Sequence, residues 1–559
     1  MSGQNVFNYE HFKREFKVDY PEYFNYAFDV MDVLGDTARN KMAMIWVGDN
    51  GDERRLTFWD VKVLSNKIAN FLQRFDVEKD TRVLVMLPRI PEWWCTMLGL
   101  MKVGAVSVPS AMSLTPRDIE YRCNKARIRM IITTPDNAGK VESIRHKIPT
   151  VQHLVLVGGN REGWIDFQDR VEPASRDFVP IGGKKYTRSS DPFLMYFTSG
   201  TTGQPKIVVH NYGYTLAHRS TAELWQDLKP NDIIWTITDT GWAKIAWGGF
   251  FGQWYAGATL FVWEYTRFKP ERMLAMLEKY GITVLCAPPT AYRMLILEDL
   301  KRFDYTELRR CVSAGEPLNP EVISVWKEGV KIEINEGYGQ TETVLLAGNF
   351  PGMQVKYGSM GLPSPLFKLE IIDDNLKILP HGQEGHIAIK VKPHHPFGIF
   401  KEYLDDAELN AEVFRGDWYL TGDRAYKDQD GYIWFMGRRD DMIKSSDYRI
   451  GPFEVESALV EHAAVVEAAV IGIPDKIKGQ RVKAYVVLHS DFQPSETLVK
   501  ELQEHVKKTT APYKYPREIE FVKDLPKTIS GKIRRVELRE REIAKMESGT
   551  PAATIHPRG

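Results

Sequence analysis

Between residues 82 and 133 short apolar runs alternate with helix-patterned stretches, and few folds accommodate that rhythm. RVLVMLP (82–88) is apolar on both alternating faces, which reads as a parallel strand covered on each side. Pro91 then opens a helical pattern, PEWWCTMLGLMKVG, that Gly104 closes, and AVSVP follows as the next strand. TPRDIEYRCNKARI supplies a further helix and RMIITT a further strand. Parallel strands need right-handed crossovers, so these segments imply a parallel sheet clothed by helices.

The rhythm resumes with DIIWTIT, ATLFVWE, PERMLAMLEKYG and TVLCAPP, through about residue 290, which predicts a second layer of the same design. Short strands with turns follow (KLEIIDD, GHIAIKV, GDWYLTGD, GYIWFMG), a small β subdomain at about 355–435. The expected architecture is therefore α/β: a large N-terminal domain, 1–437, of two parallel αβ sheet layers plus that subdomain. A small α+β domain, 438–545, then carries two helix patterns and three strand patterns, and 546–559 reads as a disordered tail. At 559 residues the chain exceeds what one hydrophobic core organises.

Lys plus Arg and Asp plus Glu number 74 each, so no global field favours nucleic acid or an anionic membrane. Between 500 and 545, however, 13 Lys/Arg face 8 Asp/Glu, a local basic excess. Cys95, Cys123, Cys286 and Cys311 are scattered in apolar stretches without C-x-x-C spacing, which suits a reducing compartment and argues against a zinc site. No secretory leader and no spanning helix is expected, and the location expected is cytoplasmic.

The strongest local signal is YFTSGTTGQPK (196–206), where a strand enters a loop of Thr198, Ser199, Gly200, Thr201, Thr202, Gly203 and Lys206. Glycines let backbone approach an anion, and hydroxyls, free N–H groups and a lysine supply donors to phosphate oxygens. G-x-x-x-x-G-K-[ST] is absent, so this is no Walker A loop.

That segment resembles the phosphate loop of the adenylate-forming superfamily of acyl-CoA synthetases, luciferases and peptide-synthetase adenylation domains. GEPLNP (315–320), INEGYGQTET (334–343), YLTGD (419–423), GRRDDMIKSSDYRIGPFEVE (437–456) and PKTISGKIRR (526–535) follow in the superfamily's order and are most similar to medium-chain acyl-CoA synthetases. The resemblance implies ATP, Mg²⁺, CoA and a small-molecule carboxylic acid as partners. It places Gly315, Glu316 and Pro317 along adenine, with Glu336, Gly337, Tyr338, Gly339 and Gln340 beside them. It implies stacking by Tyr338, a phosphate contact by Thr341, and Glu342 as the magnesium ligand. Asp423 and Arg438 would meet the ribose, Arg449 a phosphate, and Lys532 the carboxylate and α-phosphate during adenylation. A mobile small domain would rotate about Asp440. That rotation would bring Ser446, Asp447 and Tyr448 to the thioester step, with Lys478, Tyr515, Pro516 and Arg517 meeting CoA. Asp447 departs from the glycine usual there, next to the pantetheine path.

Acetate-specific relatives carry Trp where this chain has Gly339, so an acid larger than acetate is expected: medium-chain, branched or aromatic. Trp242, Ala243, Ile245 and Ala246 are expected to line the acyl pocket, Trp247 and Trp254 to be core, and Lys244 is open between capping the pocket and binding a polar group. Two rivals stand beside this reading: loading of a carrier protein in trans, and an adenylate-binding regulator without turnover.

Overall fold

A computed structural model of the chain describes residues 9–180, 183, 186–198, 204–445, 448–475, 479–527 and 533–547. Among these, one sheet of eight strands is centred on Arg82–Met86, which pairs in parallel with Val106–Pro109 on one side and Met130–Thr133 on the other. Pro91 starts the helix Pro91–Lys102 between the first two, and Gly104 ends the crossover with φ +75°, a conformation that costs glycine little. Trp93 and Trp94 of that helix are fully buried, each side chain contributing about 2 kcal/mol by leaving water. The next crossover helix, Pro116–Lys125, begins with a capping box in which Thr115 and Asp118 exchange hydrogen bonds.

The second sheet has nine strands, with Val284–Ala287 and Arg310–Ala314 parallel at its middle and Ile334–Tyr338 parallel beside them. Both layers are thus parallel at their centres but carry antiparallel edges. Lys206–Asn211 runs antiparallel to Pro192–Thr198, and Glu53–Thr57 antiparallel to Met42–Val47. Met42–Val47 also joins Thr259–Trp263, more than 200 residues on, a pairing no local pattern announces.

A five-stranded antiparallel sheet contains Leu369–Ile372, Gly385–Lys390, Trp418–Lys427 and Ile433–Arg438. Its limits differ from those expected. Leu362–Pro363 belongs to the edge of the nine-stranded sheet, and Ile433–Arg438 runs beyond residue 435 because Arg438 pairs with Asp423.

The C-terminal part builds a largely antiparallel sheet on Val465–Asp475 and Gly479–Leu488, flanked by the helices Pro452–Val460, Glu496–Thr509 and Arg535–Glu547. It touches the preceding sheet where two glycines meet. Gly437 has φ +149°, and a Cβ on it would lie 3.8 Å from the Cα of Gly451. A Cβ on Gly451 would collide with the carbonyl oxygen of Met436. All four cysteines are free and buried, and burial pushes the Cys123 and Cys311 thiols up to about 12.

Candidate active site

Ile334–Tyr338 ends at the C-terminal edge of the parallel core, and the loop 339–343 leaves it with its polar groups tied on several sides. Tyr338 OH and Gln340 Nε2 both donate to Asp423 Oδ2 at 2.7 Å, and Gln340 in turn accepts from Tyr419 OH at 2.8 Å. Asp423 is buried within Trp418–Lys427, so it is a strand residue held by three neighbours rather than a turn cap. Arg438 Nε stands 3.9 Å from Asp423 Oδ1. Burial opposes its charge, yet Asp423 and Glu342 outweigh burial and hold the guanidinium above its ordinary range.

Glu342 is fixed at both ends. Its backbone oxygen accepts from Phe400 N–H at 2.7 Å and its carboxylate Oε1 accepts from Tyr403 OH at 2.7 Å. Lys206, at the start of its strand, places Nζ 5.5 Å from the Tyr403 ring, while Thr198 pairs with it across the hairpin. The strand Glu402–Tyr403 pairs with Val208 and Val209, so two chain segments 200 residues apart converge on one carboxylate and one ammonium. Glu342 retains a second carboxylate oxygen, and a hard divalent ion asks for one or two such ligands besides substrate phosphates. The residues present therefore fit Mg²⁺ with Glu342 as its protein ligand.

Gly315 takes φ +113°, and a Cβ there would meet nothing within 4 Å, so the backbone offers an open face for close approach of a flat ligand. Glu316 beside it is paired with Arg293 at 3.1 Å, and Pro317 is half-buried. Glu336 is buried: burial pushes its carboxyl up to about 8, against the pull of a hydrogen bond from Leu318 N–H to Oε1 at 2.9 Å. It thereby ties the 315–320 loop to the strand leading into Tyr338. Gly337 packs against the Trp225 indole, which leaves no room for a side chain.

Ile245 and Ala246 are buried in the helix Lys244–Gly248, with Trp242 and Ala243 half-buried ahead of it. Lys244 Nζ donates to the Ala314 carbonyl at 2.8 Å, next to Gly315. Trp254 is core, its indole N–H donating to Ala43 O at 2.9 Å. Trp247 is buried and packs against Gly339. A Cβ on Gly339 would run into the six-membered ring of Trp247, whose N–H donates to Thr343 O at 3.2 Å. The space that a missing side chain leaves at 339 is filled by an indole from the facing helix.

In the C-terminal part, Tyr448 is half-exposed and stacks on Tyr513 with centroids 4.0 Å apart, and Arg449 next to it is exposed. Tyr515 carries Arg517 over its ring at 3.9 Å, and Pro516 O accepts from Gln503 Nε2 at 3.0 Å. Asp440 follows Arg438 in a turn closed by Asp441 N–H to Arg438 O at 3.0 Å. Ser199, Gly200, Thr201, Thr202, Gly203, Ser446, Asp447, Lys478 and Lys532 lie outside the described residues.

Three residues absent from the motifs prove to hold the site: Tyr403, Trp247 and His210, whose Nε2 lies 2.8 Å from Thr341 O. Each comes from a stretch whose side chains read locally as ordinary core.

Comparison with known proteins supplies a second line. Residues 34–404 match the family described as AMP-binding enzyme, and 454–532 match the AMP-binding enzyme C-terminal domain. The chain is 46% identical over 549 residues to the acyl-coenzyme A synthetase ACSM3, mitochondrial, of Rattus norvegicus, covering 96% of this chain and 94% of that one. Its fold is similar to the crystal structure of the anthranilate CoA ligase AuaEII in complex with anthranoyl-AMP, with TM-score 0.86 and 30% identity over 94% of this chain and 99% of that one. A benzoate CoA ligase from Burkholderia xenovorans LB400 superimposes with TM-score 0.80 and 28% identity, over 92% of this chain and all of the other.

Proposed function

The chain belongs to the AMP-binding enzyme family, and from that premise we propose that it is an AMP-forming acyl-CoA synthetase for a carboxylic acid larger than acetate. The observation that carries this reading is the loop 338–343. It sets a tyrosine–aspartate–glutamine cluster at one end and a tyrosine-anchored carboxylate beside Lys206 at the other. That separation suits a ligand with a sugar at one end and a triphosphate at the other.

The carboxylate R–COO⁻ attacks the α-phosphate of ATP, a new C–O–P bond forms, and pyrophosphate leaves with the electrons of the α–β bridge. CoA thiol then attacks the acyl carbon, AMP departs, and the thiol proton is released. Asp423 and Arg438 hold the ribose hydroxyls, Tyr338 lies along adenine, and Lys206 and Thr341 meet phosphate oxygens. Glu342 would hold Mg²⁺, which would supply positive charge to the triphosphate. Tyr403 keeps the Glu342 carboxylate in one orientation, so no reorganisation accompanies the chemistry. Lys532 supplies the compact positive charge at the α-phosphate, and rotation about Asp440 exchanges it for the segment around Ser446–Tyr448. Lys478, Tyr515, Pro516 and Arg517 would meet CoA phosphates, an assignment that for the last three is supported by the basic excess of 500–545.

Medium-chain and aromatic acids both suit a pocket edged by Trp242, Ala243, Ile245 and Ala246, because apolar walls separate homologous chains by only about 1–3 kcal/mol per methylene. Aromatic acids draw support from the anthranilate and benzoate CoA ligases of similar fold, and medium-chain acids from the motif resemblance at 437–456 and 526–535.

Among the described residues no helix is long and apolar enough to cross a membrane. A cytoplasmic setting is supported by the four free buried thiols, while the rat relative's name says mitochondrial; cell fractionation decides between them. The test of function is acid-dependent exchange of labelled pyrophosphate into ATP across a panel of acids, followed by thioester formation on adding CoA. Exchange with no acid in the panel would overturn the reading, and exchange without a CoA product would favour a carrier-protein acceptor.

A further inference from the structure

The strand Lys206–Asn211 carries more than the phosphate-facing lysine. Side chains two apart share a face of a strand, so Lys206, Val208 and His210 point the same way. Lys206 ends at the ring of Tyr403, which orients Glu342; His210, deeper along the same face, ends at the backbone one residue before Glu342. Its imidazole is fully buried, stacks on Tyr214 with centroids 3.8 Å apart, and meets Tyr196 edge-on at 6.3 Å. The Thr341 carbonyl can only accept, so the contact at 2.8 Å requires a proton on Nε2. Nδ1 is then a bare acceptor, and among the described residues it finds no partner. A buried polar atom left unmatched is a cost, which the fold carries to place a donor at Nε2.

We propose that His210 is a positioning residue for adenylation: its Nε2–H clamps the Thr341 carbonyl and so sets the peptide that presents the Thr341 hydroxyl and the Glu342 carboxylate to Mg·ATP. The inference rests on the acyl-CoA synthetase reading. The neighbouring residues of the loop are held elsewhere: Gln340 by Asp423 and Tyr419, Glu342 from Phe400 and Tyr403, and Thr343 by Trp247. His210 adds the contact at the Thr341 carbonyl itself, on the peptide that joins Thr341 to Glu342. Burial holds the imidazole far below its ordinary range, at about 3, so the ring stays neutral and its tautomer is set throughout the working pH range. The thioester step needs no triphosphate, so it should not feel the clamp.

Three variants of the full-length protein test this. His210→Phe keeps the ring stacked on Tyr214 but removes the donor, His210→Gln restores an N–H at similar reach, and His210→Asn keeps polarity but withdraws the donor from Thr341. The readouts are calorimetric binding of MgATP without acid, acid-dependent pyrophosphate exchange, and thioester formation from supplied acyl-AMP. We expect His210→Phe and His210→Asn to bind MgATP about tenfold more weakly and to lose exchange by at least that factor, the consequence of one unmet buried hydrogen bond. His210→Gln stays within about threefold of the parent, and all three retain thioester formation within about twofold. Should His210→Phe fail to fold, the contrast between Asn and Gln carries the same decision. Unchanged MgATP affinity in Phe and Asn, equal loss in both half-reactions, or failure of Gln to recover binding would each overturn the role of His210 alone. A parent protein that binds no MgATP would overturn the function itself and the clamp with it.

Discussion

Single side chains show how the site balances charge against burial. Glu336 sits in an environment that pushes its carboxyl from the ordinary 4.5 to about 8, through burial set against one backbone donor. The folded state thus holds a proton that the unfolded chain releases above its ordinary range. The sign follows: the contribution of this carboxyl to stability is fullest below pH 4.5 and is lost as pH rises toward 8, where the folded carboxyl also ionises. Glu336→Gln keeps the acceptor for Leu318 N–H without the ionisable proton, so its melting temperature should gain on the parent more at pH 8 than at pH 5. Melts that shift equally at both pH values would show that the carboxyl is already ionised in the fold. Gly339 makes a different demand. With the Trp247 ring against its Cα, Gly339→Ala should cost several-fold in pyrophosphate exchange, and adding Trp247→Leu should recover part of it. Coupling of about 1 kcal/mol or more between the two is expected of residues in contact, and strict additivity would deny the contact. These cases also mark what was readable. The glycines, acid and tyrosine of 334–343 were legible through their resemblance to a superfamily motif. Tyr403, Trp247 and His210 were not, because what recruits them is a tertiary approach and their own stretches carry the apolar pattern of core.

At the scale of elements, the last helix, Arg535–Glu547, is tied by Arg535 to Glu456 and Arg539 to Asp441 near its start and by Glu542 further along. Glu542 accepts from Tyr485 OH at 2.7 Å and pairs with Lys483 and Lys545, each at 2.8 Å. Burial would raise its pKa, but hydrogen bonds from Lys483, Lys545 and Tyr485 prevail and hold it at about 2 instead of 4.5. A depressed carboxylate stabilises the fold above its ordinary pKa and ceases to do so as acid protonates it. Hydrogen exchange in residues 535–547 should therefore accelerate as pH drops from 4.5 toward 2, ahead of the parallel core; uniform exchange across the chain would refute the attachment. The strand–helix rhythm of 82–133 was legible because each segment is local and strongly patterned. The edge strand Met42–Val47 was not, since its place beside Thr259–Trp263 is decided by packing across the domain.

For the whole molecule, the decisive contact is the bare backbone seam at Gly437 and Gly451. In the orientation of this structure Arg535, on the C-terminal part, feels the charge of Glu316 in the 315–320 loop. A methyl on Gly451 would strike the Met436 carbonyl in this orientation. On the proposed rotation about Asp440, Gly451→Ala should lower acid-dependent pyrophosphate exchange at least tenfold while sparing thioester formation from supplied acyl-AMP, and equal loss of both would show that the seam does not part. The order of the two domains was legible from motif order; how they touch was not, because glycines in contact leave no pattern of their own. The buried, proton-bound thiols at 95, 123, 286 and 311 have a practical corollary. The native chain is silent toward maleimide dyes, so a donor–acceptor pair attached through two introduced surface cysteines would report on the swing of the small domain in single molecules, with no background to subtract.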